Sequence, residues 1–130
     1  MNPNTHATHL RVTPHAALRG RIRVPGDKSV SHRALMLGAL SQGVTDVQGF
    51  LPAADCLATL HCLRDLGIRI DEITDAHLVV HGTGPSGWTE AATVLDCGGS
   101  GTTMRLMAGI LASMPLYSVL TGSDMLRKRP

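Results

Sequence analysis

Aromatic residues are nearly missing from this sequence: Phe50, Trp88 and Tyr117 are the only three among 130. A core built from it must therefore be aliphatic. The scarcity also argues against single-stranded nucleic-acid binding, which relies on aromatic stacking platforms. No apolar run exceeds that from Ala34 to Leu40, far short of the roughly 20 residues a membrane-spanning helix needs. The opening MNPNTHATHL has no basic start followed by an apolar stretch, so it does not read as a secretory signal. An excess of one charge is lacking as well: the formal net charge is +2, too small to suggest nucleic acid or a membrane surface as partner. Cysteine is sparse, and Cys56, Cys62 and Cys97 show no paired metal-ligand spacing. They read as reduced, mostly buried thiols of a cytoplasmic protein, and neither a metal nor a zinc site on His61 and Cys62 is expected.

What is present suits one compact, turn-rich α/β domain. Hydrophobic residues make up 43% of the chain, with 14 Gly and 7 Pro. A chain of this length buries about two thirds of its unfolded surface when it closes a core. The basic residues fall in clusters: Arg19, Arg21 and Arg23; Lys28 and Arg33; Arg127, Lys128 and Arg129. Such clusters are commonly solvated surface, but two of these adjoin glycine-containing turns, which points to a small anionic ligand.

Residues 1–8 read as a polar, disordered tail. Alternation at Leu10 and Val12, and again at Leu18, Ile22 and Val24, predicts two short strands, the second ending at Pro25-Gly26. Helical spacing predicts a helix over 28–41, with Val30, Ala34 and Leu37 beside Leu35, Met36 and Leu40 on a broad apolar face. Gly43 closes it and 44–50 reads as a strand. A second helix follows Pro52, with Asp55 in its first turn, Cys56, Leu60 and Leu63 on one face, and Gly67 at its C-terminal cap. Strands over 68–70 and 78–80 flank a polar turn at 71–75. A strand over 93–97, a helix over 100–112 and a strand over 116–120 complete the reading, with Arg129-Pro130 resembling the opening of a further helix.

Three segments carry candidate chemistry. In Gly26-Asp27-Lys28-Ser29-Val30-Ser31-His32-Arg33 a tight turn feeds a helix start, where unpaired N–H groups and the positive end of the helix dipole converge. Lys28 adds an ammonium, and Ser29 and Arg33 share a helix face. Together they suit a carboxylate or phosphate, each charge-assisted hydrogen bond contributing about 1.5–3 kcal/mol. The ordinary alternative is a capped surface helix. Gly98-Gly99-Ser100-Gly101-Thr102-Thr103-Met104-Arg105 repeats the arrangement, its glycines allowing close backbone approach to an anion. The third segment, Leu120-Thr121-Gly122 with Arg127-Lys128-Arg129-Pro130, offers arginine for bidentate phosphate binding. Gly82-Thr83-Gly84-Pro85-Ser86-Gly87 fits the dinucleotide pattern, but Pro85 disturbs the turn and too few residues follow for a crossover helix. His32, His61, His77 and His81 have no spacing of a triad or metal site, although His32 lies inside the first segment.

The stretches LRGRIRVPGDKSVSHRALMLGAL, LDCGGSGTTMRLMAGILA and LTGSDMLRKRP, in this order and spacing, resemble the enolpyruvylshikimate phosphate synthase (3-phosphoshikimate 1-carboxyvinyltransferase) family, over residues 10–130. The resemblance implies an α/β fold (α+β in some schemes) built from a βαβαββ repeat unit, here incomplete. Residues 9–25 would be strands that pack with a second domain, and 26–130 an incomplete first domain. It implies transfer of the enolpyruvyl group of phosphoenolpyruvate onto shikimate 3-phosphate with release of phosphate, in aromatic amino acid biosynthesis, without metal or other cofactor. By motif, Lys28 would contact both substrates, Ser29 and Arg33 would hold the shikimate phosphate, Gly101 with Thr102 would receive phosphoenolpyruvate, and Arg129 would bind its anionic end. Glyphosate would compete at the phosphoenolpyruvate site of the complete enzyme. The acid and base groups would lie in a missing portion, outside residues 1–130, and the chain alone is expected to be inactive. Two departures stand out: Gly99 occurs where the family usually has Asn, and the chain is several times shorter than the family's proteins.

Other readings remain open at this point. The chain could be a non-catalytic module for small phosphorylated acids, one half of a split enzyme whose partner is the missing remainder, or a remnant without ligand. A related transferase acting on UDP-N-acetylglucosamine shares the fold, although the Ser-x-Ser-His-Arg helix start argues against it.

Overall fold

The computed structural model describes residues 12, 13, 17 and 19–130. In chain order it contains α1 (Lys28–Leu40), β1 (Gln42–Gln48), α2 (Ala54–Asp65), β2 (Arg69–Thr74), β3 (His77–Thr83), β4 (Leu95–Asp96), α3 (Gly101–Leu111), β5 (Leu120–Thr121) and α4 (Asp124–Arg127). The α/β reading holds, and α1 to β3 follow the order expected after the first strand of the repeat unit.

Two sheets organise the chain. β3 lies between β1 and β2 and is antiparallel to both. β1 and β2 therefore run parallel, and α2 is the crossover between them. Alternation decides which face turns inward: Leu78 and Val80 of β3, Val47 of β1 and Ile70 of β2 are buried. They meet α1 and α2 through Leu35, Ala39, Leu60 and Leu63, none more than 1% exposed. The aliphatic core follows from the scarcity of aromatics. Phe50 and Trp88 are buried in it, and Trp88 Nε1 donates to the Ala39 carbonyl at 3.3 Å, while Tyr117 stays exposed. The second sheet pairs β4 with β5 in parallel, and α3 connects them.

Several expectations need correction. The tail at 1–8 and Leu10 and Leu18 lie outside the described residues. Over 19–25 no strand forms, and Ile22 and Val24 are 85% and 70% exposed. Alternation specifies a face, but a strand needs a partner edge, and none lies beside this segment among the described residues. On α1 the buried side is Ser31, His32, Leu35, Met36, Gly38 and Ala39, whereas Val30 and Leu37 are exposed. The helix is apolar on most of its circumference, so composition alone could not choose the inward side. β2 continues through the expected polar turn to Thr74. β4 and β5 are shorter than expected, and a four-residue helix not expected from the sequence, α4, precedes Arg129-Pro130. The glycine-rich stretch after β3 passes into a short 3-10 turn at Pro85–Gly87 with no helix behind it, as the dinucleotide pattern would require.

Candidate functional site

The start of α1 is held from three directions. Asp27 Oδ1 accepts the Val30 N–H at 2.8 Å, a cap contributing about 0.5–2 kcal/mol. Ser31 Oγ donates to the Asp27 carbonyl at 2.8 Å and accepts the Leu51 N–H at 3.0 Å, tying the first turn to the loop after β1. Gly26 passes so close to that loop that a Cβ on it would lie 1.9 Å from the Gly49 carbonyl oxygen. These contacts fix where Lys28 begins.

Lys28 Nζ meets Asp55 Oδ2 of α2 at 2.9 Å. Hydrogen bonding to Asp55, reinforced by its charge, raises the Lys28 pKa above the ordinary lysine value. The ammonium is thus held ionised and tethered while half exposed. One turn on, Arg33 Nη1 donates to the Ser29 carbonyl at 3.0 Å.

The start of α3 is built in the same way. Ser100 caps it by accepting the Thr103 N–H at 3.1 Å. The preceding turn is closed by Gly98 N–H to Asp96 Oδ1 at 2.8 Å and by Ser123 N–H to the Gly98 carbonyl at 2.7 Å. The second of these bonds joins the turn to α4, which buries Leu126 and carries the chain on to Arg129. A Cβ on Gly101 would lie 2.8 Å from Arg105 Nη1 and 3.7 Å from Arg129 Nη1. The absence of a side chain there lets two guanidinium groups close around the turn. Arg105 also donates to the Pro130 carbonyl at 2.5 Å.

Both helix starts open on one cleft of about 530 Å³. Lys28, Arg33, Arg105 and Arg129 line it, with Asp55 as the single carboxylate, and Gly99, Gly101 and Thr102 form the wall at the α3 turn. Four cations, one carboxylate and two helix N-termini make a receptor for a polyanion. A hollow of about 590 Å³ on the β1–α2 side has only Arg23 and His77 as charged or titratable lining. It lacks that convergence.

Of the residues expected from sequence, Lys28, Arg33, Gly101, Thr102 and Arg129 come together in the cleft. Ser29 is exposed at the same helix start but is not among the lining residues; its carbonyl braces Arg33. Sequence reasoning missed Asp55 and Arg105. An Asp in a first turn reads as an ordinary complement to the helix dipole. Arg105 had a usable signal, since it follows Gly101 by four residues on the same helix face. A Cβ at Gly99 would meet nothing within 4 Å, so the position where the family usually has Asn is open at its first side-chain atom. Among the described residues no group of three or more His, Cys, Asp or Glu side chains is placed to hold a metal ion, and no helix is long and apolar enough to cross a membrane.

The family model for EPSP synthase (3-phosphoshikimate 1-carboxyvinyltransferase) matches residues 12–130. The chain belongs to the EPSP synthase family. It is 54% identical over 121 residues to the 3-phosphoshikimate 1-carboxyvinyltransferase of Desulforudis audaxviator, covering 93% of this chain and 28% of that one. With the enzyme of the same name from Chloroflexus aggregans it shares 48% over 123 residues, covering 95% and 28%. The fold agrees with the solved EPSP synthase of Acinetobacter baumannii at a TM-score of 0.81 and 47% identity, over 85% of this chain and 25% of that one. The chain therefore spans little more than a quarter of the length of the curated relatives it matches.

Proposed function

We propose that this chain supplies one wall of the active site of a cytoplasmic enzyme that moves the enolpyruvyl group of phosphoenolpyruvate onto a ring hydroxyl of shikimate 3-phosphate and releases inorganic phosphate. The observation that carries the reading is the convergence of four cations and two helix N-termini on one cleft. Two polyanionic substrates repel one another, and fixed positive groups between them offset that repulsion before any bond is made. In this reading Lys28 lies between the substrates. Arg33, braced by the Ser29 carbonyl, takes the shikimate phosphate together with Ser29. The Gly101 turn, shaped by Thr102, receives phosphoenolpyruvate, and Arg129 binds its anionic end. The addition and elimination steps need proton transfer, which falls to groups outside this chain, so residues 1–130 alone are inactive. Glyphosate competes with phosphoenolpyruvate in the complete enzyme.

The reading also places a partner surface. Residues 9–25 join a second domain, which accounts for the exposure of Ile22 and Val24. The apolar groove lined by Met36, Leu37, Leu40, Leu106 and Ile110 receives the rest of the first domain.

The test is calorimetric titration of the whole natural protein carrying this chain with shikimate 3-phosphate and with phosphoenolpyruvate, beside its Lys28→Ala variant. Loss of a tethered cation that contacts both ligands is expected to weaken both by at least about tenfold. Equal binding by the two proteins overturns the assignment.

A further inference from the structure

One buried titratable side chain has no part in the proposed chemistry. His32, on the inner side of α1, is fully buried, with Nδ1 2.7 Å from Thr59 Oγ1 of α2. Thr59 Oγ1 lies 2.8 Å from Thr103 Oγ1 of α3, and Thr103 Oγ1 lies 2.7 Å from Ser100 Oγ. Thr59 and Thr103 are as buried as His32, and Ser100 is 1% exposed. Four side chains thus form a continuous polar chain through an aliphatic core, crossing three helices.

Its far end is the cleft. Ser100 caps the turn that presents Gly101, and Thr103 Oγ1 also lies 3.3 Å from the Asp55 carbonyl. Asp55 in turn tethers Lys28. The same polar chain therefore bears on both walls of the anion site.

The other end is asymmetric. His32 Nε2 is buried and without a hydrogen-bond partner, alone in this among the described residues. A buried N–H with no acceptor is the costlier orphan; a bare ring nitrogen loses less. The proton belongs on Nδ1, which donates to Thr59. The Thr59 hydroxyl then donates to Thr103, whose own proton is left for the Asp55 carbonyl or Ser100. Burial lowers the His32 pKa, opposed by the charge of Asp55 and aided by Lys28 and Arg33, so the ring is neutral near pH 7.

We propose that His32 is a positioning residue: as a neutral Nδ1–H imidazole it sets the direction of the Thr59–Thr103–Ser100 hydroxyls and thereby holds the α3 turn and Asp55 in register for anion binding. This rests on the reading of the cleft as an anion site. A merely space-filling ring would leave the ring tautomer and the donor at Nδ1 without consequence.

The experiment uses the whole natural protein carrying this chain. Nitrogen-15 NMR of labelled histidine is expected to show His32 protonated at Nδ1 only; a proton on Nε2, or an imidazolium at pH 7.5, overturns the proposal. His32→Asn puts a carboxamide where Nδ1 was, and His32→Leu keeps bulk without a donor. The Leu variant is expected to bind phosphoenolpyruvate about tenfold more weakly and to exchange the Gly101 amide faster, with the Asn variant within about threefold of the unchanged protein. Unchanged binding and exchange in His32→Leu, or an Asn variant as weak as the Leu variant, overturns it. If His32→Leu does not fold, Thr59→Val interrupts the same chain at constant size and is judged by the same two readouts. Lys28→Ala runs alongside: if it binds as well as the unchanged protein, the anion reading fails, and the relay is judged on tautomer and amide exchange alone.

Discussion

Replacing Gly26 by alanine puts a methyl carbon 1.9 Å from the carbonyl oxygen of Gly49, 3.0 Å from its carbonyl carbon and 3.1 Å from the amide nitrogen of Leu51. All three neighbours are backbone, so no side-chain rotation relieves the overlap. The first distance is more than 1 Å inside the 3.0 Å that real Cβ contacts essentially never breach. Either the loop after β1 or the start of α1 must move. Forced overpacking of this kind costs about 1–3 kcal/mol. For a domain near this size that lowers the melting temperature by about 4–11 °C. The shift also displaces Asp27 and Lys28, so anion affinity falls with stability. Thermal unfolding followed by circular dichroism reads the first effect, and titration with phosphoenolpyruvate reads the second. Gly99→Ala is the matched control: it meets nothing within 4 Å, and a change of no more than about 0.5 kcal/mol is expected. A Gly26→Ala protein that melts with the unchanged chain would refute the packing argument, as would equal losses in both variants.

Two further outcomes follow from the buried titratable groups. His32 has its pKa lowered, first by burial, so folding favours its neutral form. Its contribution to stability is complete above the unfolded value of about 6.5. It is lost as pH falls from there through the lower folded value. Urea unfolding between pH 7.5 and 5 should show this slope, and His32→Asn should flatten it; an unchanged slope would remove His32 as its source. The three cysteines are free and buried, and burial raises the Cys56 pKa. Hydrogen bonding between the Cys62 and Cys97 thiols raises the first and lowers the second. A colorimetric disulfide reagent should therefore titrate no thiol in the folded protein and all three after unfolding; rapid reaction at Cys97 would show that burial fails to protect it.

Much of the architecture was legible because its signals are local. Helical spacing places α1 over 28–41, within a residue of Lys28–Leu40, and Gly67 marks the end of α2 with φ +86° in the expected C-terminal cap position. What failed was whatever depends on a partner. The alternation at Ile22 and Val24 is real, but both stay exposed and no strand among the described residues pairs with this segment. α4 spans four residues, too few for a helical period to show, and it is Leu126 packing beneath the α3 turn that fixes it.

The candidate site divides along the same line. Its anion-facing parts are glycine turns and helix starts, each a short run whose backbone geometry the sequence dictates. The groups that make those parts work together are distant in sequence: Lys28 reaches Asp55 across 27 positions, His32 reaches Thr59 across 27, and Thr59 reaches Thr103 across 44. Single serines, threonines and histidines inside apolar helices look like tolerated polar residues when read one at a time. Ser31, His32, Thr59, Ser100 and Thr103 are buried in positions that apolar side chains of similar size would fill. Each would cost free energy there if left unpaired. Hydrogen bonds among His32, Thr59, Thr103 and Ser100, and between Ser31 and the backbone of Asp27 and Leu51, offset that cost. His32 Nε2, the one buried side-chain atom left over among the described residues, marks where the direction of the chain is set.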